Sequence, residues 1–152
     1  MPQNSALSAL SLMSIRFSSQ DVSFQLTEAP RVARWIEKVI TMHGQRCGSI
    51  NYNFCSDDHI LQVNQQFLNH DTYTDIITFD RVCGNLVSGD ILISIDRVKE
   101  NAVLMNTTFE QELHRVLIHG VLHLLGFKDK TDADARQMRS KEDEALHLYE
   151  EL

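Results

Sequence analysis

The chain has 152 residues, a formal net charge of −7 and 43% apolar residues, the proportions of a globular chain long enough for one core. It contains no run of 18 apolar residues, which excludes a membrane-spanning helix of ordinary length. The acidic balance argues against any broad affinity for polyanions, because nucleic-acid binding draws on phosphate neutralisation; a bound metal ion would restore part of the positive charge. Cys47, Cys55 and Cys83 form no C-x-x-C pair and read as reduced, buried thiols, a pattern of the cytoplasm.

Residues 1–12 are rich in Ser, Ala and Leu and carry no charge, without the basic start or the longer apolar run of a signal peptide. Met13 is a plausible true start. Residues 1–13 are therefore read as a disordered leader or misassigned start, and 14–152 as one domain. Loose alternation over 15–26 predicts a first strand, with a break near Ser18-Ser19-Gln20. Thr27 is the expected cap of a helix over 28–43, with Pro30 in its first turn and Gly44 at its end. Its stripe of Val32, Trp35, Ile36, Val39 and Ile40 places Trp35 in the core. Residues 48–54 alternate strictly and predict a half-buried strand. Ser56 caps a helix over 57–67 whose first-turn acids suit the helix dipole.

Asn69-His70-Asp71-Thr72 reads as a turn, His70 as an exposed turn residue with a proton-donor role as the sharper alternative. A strand over 75–79 follows, then a hairpin around Cys83-Gly84-Asn85. The most apolar strand, 89–95, belongs at the centre of the sheet. A helix over 96–105 precedes the long one described next. The last helix, about 132–148, is capped by Thr131 and is expected to lie on the surface because it carries many charges. His43, His59 and His147 read as surface residues. The order β-α-β-α-β-β-α-α-α predicts an α+β fold, a small mixed β-sheet packed with helices.

The stretch with most chemistry runs from Thr107 to Asp129. Thr108 with Gln111, or Thr107 with Glu110, forms a capping box, and Gly126 stands where a helix ends in a left-handed residue. Val116, Leu117, Ile118, Val121, Leu122, Leu124 and Leu125 leave almost no polar face, so the helix is buried. His119 and His123 lie within that apolar run at i and i+4, on one face. Buried imidazoles need partners. One ion serves both, and Asp129 beyond the turn can supply a carboxylate oxygen. Three ligands with open positions make a catalytic rather than a structural pattern; the bland alternative is two core histidines bonded to ordinary acceptors. Gly120 occupies the place of the glutamate base in H-E-x-x-H proteases, which argues against that mechanism. A close neighbour would explain a glycine there. His114, on another face, reads as solvent-facing or as a partner to the ligands.

His119-Gly120-Val121-Leu122-His123-Leu124-Leu125-Gly126-Phe127 resembles the H-G-x-L-H-L-x-G-[YF]-D-H signature of the YbeY family, the metal-dependent endoribonucleases of ribosomal RNA maturation. Two departures end it: Asp129 stands at the third histidine and Lys128 at the preceding aspartate. Carboxylate for imidazole keeps a ligand for a first-row metal. A second segment, Asn64 to Phe79, resembles the family's N-x-x-[YF]-R-x-x-D-x-x-T-D-V-L-S-F stretch, with Leu68 at the family's arginine; Arg81, Lys128 and Lys130 are the nearby cations. Gly89-Asp90-Ile91 resembles the family's G-D-I strand, with Asp90 structural and Thr78 on one wall of the cleft.

The likeness covers residues 14–150. It implies the same α+β architecture with the metal site at the end of a buried helix. It also implies one divalent ion, Zn2+ first and Ni2+ or another first-row ion next, on His119, His123 and Asp129. The activity implied is single-strand-type endoribonuclease action with activated water, in ribosomal RNA processing and ribosome quality control. Partners would be a ribosomal RNA precursor and the ribosome or its assembly proteins, in the cytoplasm. Two readings stay open beside it, a ribosome-associated RNA-binding protein with a structural metal and a metallohydrolase of peptides or small esters.

Overall fold

A computed structural model describes residues 14–69 and 74–152. Its elements are β1 (Ile15–Ser19), α1 (Ala29–Met42), β2 (Arg46–Cys55), α2 (Asp57–Leu68), β3 (Ile76–Asp80), β4 (Leu86–Ser94), α3 (Ile95–Leu104), α4 (Phe109–Leu124) and α5 (Asp132–Glu151). The sheet order is β1-β2-β4-β3, with β1–β2 and β2–β4 parallel and β3 antiparallel on the edge. This is the expected mixed sheet with helices, and the apolar β4 is one of its two inner strands. The leader and the turn residues His70, Asp71 and Thr72 lie outside the described residues.

Strand alternation divides the core in two. Ile50, Tyr52 and Phe54 of β2 and Ile91 and Ile93 of β4 face the main core under α1, α4 and α5. Cys55, Ile77 and Leu92 turn to the other face, where Ile60 of α2 covers them. Tyr52 donates its hydroxyl to the Leu117 carbonyl at 2.8 Å, tying β2 to the middle of α4. At Gly120 α4 comes so near the sheet that a Cβ would stand 3.0 Å from Ile76 Cδ1 and Ile91 Cδ1. The glycine thus answers to close packing, and its position faces strands.

Several local expectations change. Beyond Ser19 the chain leaves the ladder, and Phe24 packs edge-on against Phe54 and Phe109. The alternation of Val22, Phe24 and Leu26 belongs to an irregular segment laid on the core. α1 is not capped by Thr27; its N-cap is Glu28, with φ 57° and no side-chain cap. α5 lies on the surface as its charges lead one to expect, and it packs down through one buried stripe, Met138, Glu142, Ala145 and Tyr149. His114 is buried against Trp35 and Tyr149. The thiols are free, but only Cys55 is fully buried, its pKa pushed up to about 12 by burial and neighbouring acids, while Cys83 is exposed.

Both caps of α4 form as expected. Thr108 and Gln111 complete the capping box, and Gly126 (φ +103°) closes the far end. The Gly126 amide donates to His123 O and the Phe127 amide to Leu122 O, each at 3.0 Å, the two bonds of a Schellman turn. An L-residue at such a φ costs on the order of 1–2 kcal/mol. Gly126→Ala should therefore lower unfolding free energy in urea by about that amount; a loss below a few tenths would contradict the role assigned to this turn.

Candidate metal centre

The Gly126 turn reverses the chain and brings residues 127–131 back along the last turn of α4. His119 and His123 point their Nε2 atoms at each other, 3.0 Å apart. Asp129 Oδ2 lies 3.3 Å from His123 Nε2 and 3.4 Å from His119 Nε2. A tetrahedral zinc with ligands at about 2.0–2.2 Å has donor–donor edges of about 3.3–3.6 Å, and an octahedral first-row ion edges near 3.0 Å. The triangle falls across that range, so the three donors fit one face of either polyhedron. Among the described residues, this is the one group of His, Cys, Asp and Glu side chains placed to share an ion.

The triangle opens into a groove of about 480 Å3 whose other wall is β3, through Thr78 and Asp80, with Thr74 and Asp75 at its end. Thr78 thus lines the cleft as the resemblance implies. Burial raises the Asp75 carboxyl above the usual carboxylate range, against the opposing pull of His119. Asp75, Asp80 and Asp129 give the groove an acidic lining.

One acid beside the triangle lies outside every motif of the sequence. Glu142 of α5 accepts His119 Nδ1 at 2.7 Å. Its other oxygen takes Arg115 Nη1 at 2.9 Å, and Arg115 also holds Asp143. For His119, burial works to lower the pKa, but the hydrogen bond and charge of Glu142, helped by Asp129 and Asp75, leave it raised. The available signal was an acid inside the buried stripe Met138, Glu142, Ala145, Tyr149, at helical spacing.

The other candidates separate. Asp90 is structural: the Arg81 guanidinium and Asn51 bond its carboxylate and hold its pKa down. Arg81 is thereby committed to Asp90 and to Ser49 O. Leu68 is an exposed apolar side chain ending α2. Lys128 and Lys130, both exposed, flank Asp129 on its loop.

A buried helix and its closing turn that set two imidazoles and a carboxylate at the rim of a groove define a candidate metallohydrolase of α+β architecture. Residues 15–150 match the family model for endoribonuclease YbeY. Endoribonuclease YbeY of Flavobacterium psychrophilum is 51% identical over 129 residues, covering 85% of this chain and 92% of that protein. The Porphyromonas gingivalis protein of the same name is 48% identical over 137 residues, 90% of this chain and 91% of its own. The fold is similar to the solution structure of TM1509 from Thermotoga maritima, with a TM-score of 0.62, 31% identity and coverage of 89% and 88% of the two chains. The chain belongs to the endoribonuclease YbeY family, and it is by that membership an enzyme, a hydrolase of phosphodiester bonds.

Proposed function

We propose that residues 14–152 act as one metal-dependent endoribonuclease unit that cuts single-stranded RNA, with His119, His123 and Asp129 as metal ligands. The observation that carries this reading is the donor triangle of 3.0, 3.3 and 3.4 Å opening on the groove. A divalent ion with open positions supplies an acidified water and a Lewis acid for a phosphoryl oxygen. This chain's part is to hold that ion through two neutral Nε2 atoms and one carboxylate, and to set the scissile phosphate between them and the Thr78 wall. We place the activity in ribosomal RNA processing and ribosome quality control in the cytoplasm, with Zn2+ as the first ion to try. The peptidase alternative lacks a base, since Gly120 backs onto Ile76 and Ile91. Leu68 offers no charge where the family carries its arginine, so another cation must serve the RNA.

Purified protein should cut end-labelled unstructured RNA faster than structured RNA, stop after chelation, and recover on adding Zn2+, Ni2+ or Mn2+ singly. His119→Ala and Asp129→Ala should both lose the activity. Full activity in both variants would reveal a contaminant and end the proposal. RNA binding without cleavage under every ion would count against the metal-dependent mechanism.

Lys128 and Lys130 are the cations we assign to the RNA backbone. Each phosphate contact to a single strand contributes a slope of about −0.7 in log K against log salt. Replacing both lysines by alanine should weaken RNA binding and flatten that slope by about 1.4, measured by fluorescence anisotropy across a salt series. An unchanged slope would remove them from the interface.

A further inference from the structure

Glu142 is a carboxylate buried in the main core's rim, only 6% exposed, on a helix face otherwise made of Met138, Ala145 and Tyr149. A buried ion pair such as Glu142–Arg115 is seldom a net gain over apolar side chains of the same volume, so stability alone does not account for it. Its geometry does. One oxygen receives Arg115 at 2.9 Å, and the other lies 2.7 Å from His119 Nδ1. An ionised carboxylate can only accept, which requires the proton of a neutral His119 ring to sit on Nδ1. The Nε2 lone pair is then left to face His123 and Asp129.

Arg115, itself on α4, keeps that carboxylate from swinging away, and it pins Asp143 as well. Asp129 lies three residues before the start of α5, so the third donor and the carboxylate behind the first donor belong to one segment.

We propose that Glu142, anchored by Arg115, is the positioning residue of the ion-binding face: it fixes the tautomer and ring angle of His119 before any ion arrives. The inference rests on the metal reading above. Carboxylates in this relation to a ligand histidine typically change metal affinity by roughly 10–100-fold when removed.

The test uses Zn2+ titrated into chelated full-length protein against a chromophoric chelator, together with 15N–1H spectra of the imidazoles in metal-free protein at alkaline pH. Wild type should show His119 as the Nδ1–H tautomer. Glu142→Ala should bind Zn2+ roughly 10–100-fold more weakly and lose the tautomer signature. Glu142→Gln, which keeps an acceptor oxygen without charge, should recover part of both. Should Glu142→Ala fail to fold, Glu142→Gln carries the comparison, with a smaller loss expected.

Trp35→Phe is the control, because Trp35 Nε1 donates to Ala145 O and its loss loosens α5 without touching His119. It should leave Zn2+ affinity within a fewfold of wild type. Equal weakening in Trp35→Phe and Glu142→Ala would reduce Glu142 to a packing residue. Unaltered affinity and tautomer in both Glu142 variants would overturn the proposal alone. A wild-type protein that binds no Zn2+, Ni2+ or Mn2+ would overturn the metal reading and take this inference with it.

Discussion

His123→Ala should lower kcat/KM for RNA cleavage by at least about a thousandfold while leaving the fold intact. Loss of one preorganised electrostatic contact to a transition state commonly costs 10²–10³ in rate, and in the proposed site the whole ion would depend on the contact. On the proposed metal reading His123 supplies one of three donors, so its removal leaves His119 Nε2 and Asp129 Oδ2, 3.4 Å apart, and two ligands hold a first-row ion far less well than three. The side chain is 31% exposed and near the C-terminal end of α4, where alanine is a good helix former. Urea unfolding of the metal-free variant should therefore match wild type within about 0.5 kcal/mol. Metal content, read by elemental analysis, should fall in parallel with activity. Retained metal with lost activity would make His123 a group acting on RNA itself; retained activity would place the chemistry elsewhere.

The same donors predict the pH response. An imidazole must be neutral to ligate, and in the metal-free protein His119 holds its proton to higher pH than an ordinary histidine. Burial opposes this, but Glu142, Asp129 and Asp75 prevail. A raised pKa means that protons compete with the ion from a higher pH downward. Zn2+ affinity should accordingly begin to fall, on acidification, above the usual histidine range, and Glu142→Gln should shift that onset to lower pH.

Much of this architecture can be read from side-chain spacing alone. α4 carries its own caps, its apolar girth and both imidazoles within one run, and local signals of that kind need no tertiary partner to be recognised. Asp129 stands where the family signature carries its third histidine, and the Gly126 turn allows it to fold back toward the last turn of α4. What escaped depends on a second element. Glu142 reaches His119 across a gap of 23 residues, and its place in the buried stripe of α5 shows only once Arg115 and His119 are seen to bond its carboxylate. His114 was misplaced for the same reason: only the aromatic faces of Trp35 and Tyr149 make a core position of it. The segment 20–26 alternates like a strand, yet a ladder requires a free edge in register, and after Ser19 the chain has left it.

Trp35→Ala should be the most destabilising of the single substitutions considered, by about 3–5 kcal/mol. The indole is fully buried, meets Tyr149 edge-on at 5.1 Å and His114 at 5.7 Å, and donates Nε1 to the Ala145 carbonyl at 2.7 Å. It thus joins α1 to α4 and α5 at one point. Truncation removes both the apolar burial and the hydrogen bond, and three helices of fixed length cannot close over the void. Against a total of about 5–15 kcal/mol for a domain, such a loss consumes much of the margin, and at about 2–4 °C per kcal/mol the midpoint should drop by about 6–20 °C. Circular dichroism must follow the transition, since the variant lacks the chain's one tryptophan. A loss under about 1.5 kcal/mol, well below the range for large-to-small core changes, would mean that α5 is held mainly by its ion pairs to Arg115. In that case Arg115→Met, and not Trp35→Ala, would be the substitution that releases α5 from the sheet-side core.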